Sequence, residues 1–268
     1  MSRKGDSIVC ACGFATATRS PLDLRPGRAG SRTLEMPVGR SVEGNLDALT
    51  FERPERTYSG PRAIRDSAEL FSAAAPWLQR GHRLLDLGCG PRDQAAPAAH
   101  LGMRYVGVDF DSSRADILAD AHAIPFEDGT FDAVLAYAVV EHLYNPFLAL
   151  SEVCRVLRPG GVFFGAVSQG EPYHASFFHH TALGVASVFS AAGMRIERLW
   201  PSYDTLHSLA TMGRYAKPIK FLIEVVHRVD RALPFLAPRA FFNFSPREKR
   251  WEALCRAASI GFVAIKQG

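Results

Sequence analysis

Leu84-Leu85-Asp86-Leu87-Gly88-Cys89-Gly90-Pro91-Arg92 is the stretch whose reading decides the fold. A short apolar run ends in an acid, and two glycines follow at a spacing of two. That is the pattern of a buried strand delivering the chain to a turn where backbone passes close to a ligand. Glycine suits such a turn because a Cβ would block the approach or forbid a positive φ. Asp86, at the strand tip, can accept hydrogen bonds from an ammonium or from ordered water. A second apolar run, Arg104-Tyr105-Val106-Gly107-Val108-Asp109, also ends in an acid. The interval from Asp86 to Asp109 is close to the ~20 residues that separate a glycine turn from a ribose-binding carboxylate. A structural glycine turn alone accounts for the first acid but not for the second at this distance.

Three further strings follow in order. They are Ile124 to Val134 (IPFEDGTFDAV), Val139 to Leu143 (VVEHL) and Arg155 to Gly161 (RVLRPGG). With LLDLGCG and VGVDF before them, the chain from about Arg83 to Val167 resembles the class I S-adenosylmethionine-dependent methyltransferases. More narrowly, it resembles their small-molecule, ubiquinone-biosynthesis-like branch, the type 11 family. Each string alone is weak, and their order is what carries the likeness.

The resemblance implies an α/β fold: a Rossmann-like, doubly wound, seven-stranded, mostly parallel sheet whose last strand is antiparallel. It implies S-adenosylmethionine as cofactor, bound by Asp86, Gly88, Cys89, Gly90, Asp109, Phe110, Asp120, Ala121 and Ala138. Asp109 would take the ribose hydroxyls, Phe110 would stack on adenine, and Asp120-Ala121 would meet the adenine edge. As mere core, Phe110 would have no such role. The helix after the glycine turn would aim its N-terminus at the methionine carboxylate. Tyr58, just before a helix that covers the cofactor in the family, would be a lid residue, unless that helix is ordinary packing. The family often has a third glycine where this chain has Arg92, a change that narrows the pocket or adds a charge to it.

The strands can be read directly. After the second run, Ala115 to Ala119 reads as the third strand with only about five residues between them. A parallel crossover normally takes a dozen or more, so the usual intervening helix is expected to be missing or reduced to one turn. Phe131 to Val139, Val162 to Val167, Met194 to Trp200 and Phe262 to Lys266 supply the fourth to seventh strands. Helices are expected over 61–78, 94–101, 146–157 and 181–192. Asn145-Pro146 offers an N-cap with proline at the first helical position, and Gly193 offers a C′ residue.

Composition bounds the function. The 268 residues have 47% hydrophobic and 22% charged content and a net charge of +4, ordinary values for a globular chain. The basic residues are dispersed, so no nucleic-acid partner is expected. The lack of the Asn-Pro-Pro-Tyr type of motif associated with amino-methylating nucleic-acid enzymes points the same way. No apolar run reaches the ~18 residues of a membrane span. The five irregularly spaced cysteines suit reduced thiols and a cytoplasmic location. Residues 1–50 lack periodicity and read as a poorly ordered arm, with 51–268 forming the methyltransferase domain. No signal peptide is expected, and Met36 is an alternative start to Met1. Cys10-Ala11-Cys12 has no second ligand pair at finger spacing.

Residues 203–260 exceed a hairpin connection between the sixth and seventh strands. Ile219, Leu222, Ile223, Val226, Val229 and Leu233 form an apolar stripe there. It suits an insertion over the active-site face, a homodimer contact, or an interfacial helix meeting a membrane or a lipid-linked acceptor.

On the acceptor side, His142 stands near the expected site of the transferring methyl group. Glu171-Pro172-Tyr173-His174 follows the fifth strand. His142 and His174 are the candidate bases, with Glu171 or Tyr173 orienting them, although tyrosine and histidine in a loop also serve simply to fix local backbone. His174, His179 and His180 lack an evident fourth ligand, so no metal is expected. The expected activity is O-methylation of a hydroxylated small molecule. A non-catalytic cofactor-binding or assembly protein on the same fold is the alternative. A nicotinamide-dependent dehydrogenase would share the turn and the ribose acid, but this chain lacks the third glycine, three residues on, that such a turn carries.

Overall fold

A computed structural model describes residues 2–4, 7–9, 15–17, 22–23, 67–172, 174–202, 205–212, 215–232 and 254–268. Short strands β1 (Ser2–Lys4), β2 (Ser7–Val9) and β3 (Ala15–Ala17) form an antiparallel meander. Strand β4 (Leu22–Asp23) joins the edge of the main sheet. Strands of two or three residues are too brief to leave a periodic signature, so the sequence pattern did not reveal them.

The main domain runs α1 (Ser67–Ala74), β5 (Arg83–Leu87), α2 (Ala95–His100), β6 (Arg104–Asp109), β7 (Ile117–Leu118) and β8 (Phe131–Tyr137). It continues with α3 (Pro146–Val156), β9 (Leu157–Ser168), α4 (Ala182–Ala191), β10 (Met194–Pro201), α5 (Thr205–Met212), α6 (Lys217–Ala232) and β11 (Ser259–Lys266). Strand order across the sheet is β10-β11-β9-β8-β5-β6-β7-β4. Only β11 runs against its neighbours, pairing antiparallel with both β9 and β10. Apart from the short β4 at the edge, this is the expected seven-stranded, mostly parallel sheet with an antiparallel last strand.

Successive residues of the central strands point to opposite faces, and both faces are apolar. Leu85, Leu87, Val134, Phe163 and Val167 join a core with Leu150, Val153 and Val156 of α3 and Val185 and Phe189 of α4. Leu84, Leu135, Phe164 and Ala166 join a second core with Leu70 and Phe71 of α1 and Ala98 of α2. The helices therefore cover both faces, which makes the sheet doubly wound. From β5 the chain steps outward to β6 and β7, then crosses back to β8 and β9. That reversal puts the switch point between β5 and β8, where open α/β sheets bind ligands beyond the carboxyl ends.

Local chemistry sets the helix ends. Asn145 Oδ1 accepts from Leu148 N at 3.2 Å with Pro146 opening α3, and Thr181 Oγ1 accepts from Gly184 N at 3.1 Å to start α4. Gly193, at φ +81°, follows α4. The crossover between β6 and β7 contains no helix, and Val108 pairs with Ile117 directly. β9 starts at Leu157 rather than Val162, because Arg158 to Gly161 bulge out of pairing with β8 while the strand continues. The 61–78 helix is described as Ser67–Ala74 with one further 3₁₀ turn, Ala75–Trp77. Tyr58 and residues 61–66 lie outside the described residues, as does Leu233.

Within the long connection, Ile219, Leu222, Val226 and Val229 of α6 are all exposed, with Phe221 beside them. Among the described residues no helix is long and apolar enough to cross a membrane.

One close approach fixes the sheet interior. A Cβ on Gly165 would fall on the Ala136 carbonyl oxygen across the β8–β9 ladder. Backbone cannot yield as a flexible side-chain tip can, so Gly165→Ala should destabilise by ~1–3 kcal/mol or more. Thermal unfolding should show a Tm lower by several degrees, and an unchanged Tm would contradict this packing.

Candidate active site

Three left-handed positions shape the glycine turn: Gly88 at φ +68°, Gly90 at +48° and Arg92 at +67°. A Cβ on Gly88 would collide with the Val139 side chain, while the space beside Gly90 is open. Arg92 keeps the backbone conformation for which a third glycine would be suited, despite its side chain. Its guanidinium is paired and does not add a free charge to the turn. Nη1 lies 2.5 Å from Asp116 Oδ1, and the group sits 5.2 Å over the Tyr105 ring.

Asp109 ties this turn to the next strand. Its Oδ2 accepts from Gly90 N at 2.8 Å, and its Oδ1 accepts from Asp111 N at 3.1 Å and Ser112 N at 3.0 Å. The Ser112 hydroxyl donates to the Gly90 carbonyl. A carboxylate offers about four lone-pair positions, so roughly one is left for a ligand rather than the expected pair. Phe110, the next residue, is largely exposed at 58%. Cys89 is buried, with its N–H on the Val108 carbonyl, and burial pushes its thiol up to about 12.

Asp120 is engaged locally. Its Oδ1 meets His122 Nδ1 at 2.6 Å and accepts from His122 N, and these contacts hold its carboxyl below the usual range. His122 stacks on Tyr144 and takes the Asn145 N–H at Nε2. Ala121 packs, partly buried, on the core. Ala138, just past β8, is held at φ +56° with its N–H on the Ala166 carbonyl. A non-glycine residue there stores strain of the kind that clusters at ligand sites.

A second cluster occupies the ends of β8 and β9. The 3₁₀ turn Val140–His142 turns Glu141 inward, fully buried, and leaves His142 exposed. Glu141 Oε1 accepts from Ser168 N at 3.2 Å, and its backbone carbonyl accepts from Phe177 N and Phe178 N. Burial pushes its carboxyl up to about 7. His174 Nε2 lies 3.1 Å from His142 Nε2 and 3.6 Å from Glu141 Oε1, with its Nδ1 at 3.3 Å from Glu171 Oε2. Burial and the neighbouring His174 lower the His142 pKa. His179 is exposed and its ring centroid lies 6.4 Å from that of His174, while His180 is buried. The structure thus pairs His174 with His142 and Glu141 rather than with His179 and His180. Tyr173 lies outside the described residues.

Two functional neighbours escaped the sequence reading. One is Glu141, whose only signal was its adjacency to His142. The other is Tyr105, whose hydroxyl donates to Asp86 Oδ2 at 2.6 Å.

Asp86 is 1% exposed, and burial raises its pKa from 3.8 to about 7 against the lowering effect of the Tyr105 hydrogen bond. Folding therefore favours the protonated form. Its contribution to stability is full below the unfolded value and is lost as pH rises through about 7. Asp86→Asn keeps an acceptor for Tyr105 but cannot ionise. Its Tm should gain on that of the wild type between about pH 4 and 7 and then level off. The same Tm difference at pH 4 and pH 8 would contradict the burial argument.

Comparison with known proteins gives this geometry its context. Residues 85–165 match the family described as a methyltransferase domain, type 11. An uncharacterized methyltransferase of Mycobacterium sp. (strain JLS) is 36% identical over 143 residues, 47% of this chain and 55% of that protein. An uncharacterized 37.1 kDa protein in transposon TN4556 of Streptomyces fradiae is 34% identical over 175 residues, 57% of this chain and 48% of the other. The chain spans about half the length of the curated relatives it matches. A solved structure described as a sarcosine dimethylglycine methyltransferase from Galdieria sulphuraria superposes with a TM-score of 0.51 at 18% identity. It covers 76% of this chain and 86% of its own, and at that identity it attests the fold alone. Over residues 85–165 the chain is thus similar to the type 11 family of methyltransferase domains.

Proposed function

We propose that this protein transfers a methyl group from S-adenosylmethionine to an oxygen of a hydroxylated small molecule. The observation that carries the reading is the proton-handling cluster of His142, His174, Glu141 and Glu171 beside the carboxyl ends of β8 and β9. It stands across the switch point from a glycine turn whose open, left-handed backbone lets a ligand approach closely.

The residues at the turn fit the cofactor. Open space lies beside Gly90, the Phe110 ring is exposed, and Asp109 retains an acceptor position. Gln94 Oε1, just past the turn, is buried without a hydrogen-bond partner and is a spare acceptor for a cationic group. When bound, the cofactor supplies a methyl group already activated on a sulfonium. The protein's task is then alignment, which can contribute ~7–11 kcal/mol, together with removal of the acceptor's proton. His142 suits the second role because its lowered pKa keeps it unprotonated at neutral pH. His174, 3.1 Å away and held by Glu171, can share the proton. The exposed rings of Phe177, Phe178 and Tyr144 offer an apolar wall for the acceptor.

Asp109→Asn removes one carboxylate oxygen from both ligand and loop. S-adenosylmethionine affinity, measured by calorimetry, should fall roughly tenfold or more, and unchanged affinity would sink the placement of the ribose. On the acceptor side, alanine at His142 or His174 should lower turnover by ~10²–10⁴ for the true base, with cofactor affinity intact. Near-wild-type turnover in both variants would leave alignment alone to carry the reaction.

A further inference from the structure

The same cluster has an arrangement that proton transfer alone does not require. Glu141, His142 and His174 each present a ligand atom, and the three atoms lie within 4.8 Å of one another. His174 has an acceptor besides this convergence: Glu171 Oε2 lies 3.3 Å from its Nδ1. A neutral imidazole carries a single N–H. If that N–H serves Glu171, His174 Nε2 presents a lone pair to the convergence, 3.1 Å from His142 Nε2. Next to it, Glu141 Oε2 is buried and has no hydrogen-bond partner, in a side chain that is fully buried. An orphaned carboxylate oxygen at that depth is costly.

We propose that Glu141, His142 and His174 form a binding site for a divalent transition-metal ion of the zinc type. The inference rests on reading this cluster as the acceptor side of the methyl-transfer site only for the identity of the remaining ligand, which is an oxygen of the acceptor or water. Bonds of ~2.0–2.1 Å at tetrahedral angles place neighbouring ligand atoms ~3.3–3.4 Å apart. The observed 3.1 Å and 3.6 Å separations from His174 bracket that edge, and the third pair, Glu141 and His142, lies within 4.8 Å and would close onto the ion. Two histidines and a carboxylate are the three-protein-ligand set of zinc sites that keep one position open. Imidazole nitrogen selects zinc, copper or nickel over magnesium or calcium. Glu171 then completes a carboxylate–histidine–metal relay, fixing the His174 tautomer as a positioning residue. His142 is exposed, which gives the ion a route in. With the ion bound, the two histidines serve the acceptor as ligands rather than as bases, and coordination lowers the acceptor's pKa in their place.

The test uses the full chain, stripped of metal with a chelator and titrated with zinc by calorimetry and with cobalt by visible absorption. The expected result is one saturable zinc per chain and cobalt bands of tetrahedral intensity. His142→Ala and His174→Ala should each weaken binding tenfold or more, and Glu171→Gln by ~10–100-fold. Far-UV circular dichroism checks that these exposed or half-exposed substitutions leave the fold intact. A Cys10→Ser, Cys12→Ser variant should bind as the wild type does. No saturable binding, or binding that survives the combined histidine variant, overturns the inference. S-adenosylmethionine affinity measured on the metal-free protein reports separately on methyl transfer. Its absence would fail that reading while leaving a positive metal titration standing.

Discussion

The Asp109 carboxylate is the constraint on which the site depends. It gathers the Gly90, Asp111 and Ser112 N–H groups, so one side chain holds the glycine turn after β5 against the chain leaving β6. Without it, three backbone donors at the carboxyl edge of the sheet would need other partners. Its geometry also explains how β7 can follow so soon. Asp116 closes the crossover from the other side, its Oδ2 on Gly107 N and its N–H on the Gly107 carbonyl. Two aspartates thus do by hydrogen bonding what a crossover helix does by length in most parallel pairs.

The arrangement constrains the cofactor reading as well. A carboxylate already accepting three backbone bonds is rigid, and rigidity at a binding acceptor lowers the ordering cost of association. It is also partly spent. A ribose can take the remaining position, or it can displace the loop N–H groups. Arg92 belongs to the same economy of contacts: bound to Asp116 and resting on Tyr105, it braces the turn from outside. Tyr105 of β6 in turn reaches Asp86 of β5, which ties the two strands together through one phenol. The acid at the strand tip, the turn and the short crossover therefore act as a single hydrogen-bonded unit.

Sequence periodicity carried the sheet, because β5, β8 and β9 are buried on both faces and read as continuous apolar runs. The caps at Asn145 and Thr181 were equally plain, since each is a local pairing of a side chain with an N–H three residues on. What stayed hidden was non-local. Spacing places Asp109 at a distance from the glycine turn but says nothing of the backbone donors competing for its oxygens. Glu141 and His174 are far apart in the chain and meet where the Glu141 carbonyl accepts from Phe177 N and Phe178 N and the Ser168 carbonyl accepts from His180 N. That hydrogen bonding, rather than any motif, selects His174 over His179 and His180 as the partner of His142. The α6 stripe was legible as amphipathic, yet periodicity could not say that it would face outward.

The account turns on the clamped glycine turn being an S-adenosylmethionine site and not one for a nicotinamide dinucleotide. Calorimetric titration of the purified protein with each compound, under one set of conditions, tests this most directly. Saturable binding of one S-adenosylmethionine per chain, with no heat of binding from NAD, is the predicted result. Saturation by NAD, or by neither compound, would contradict it.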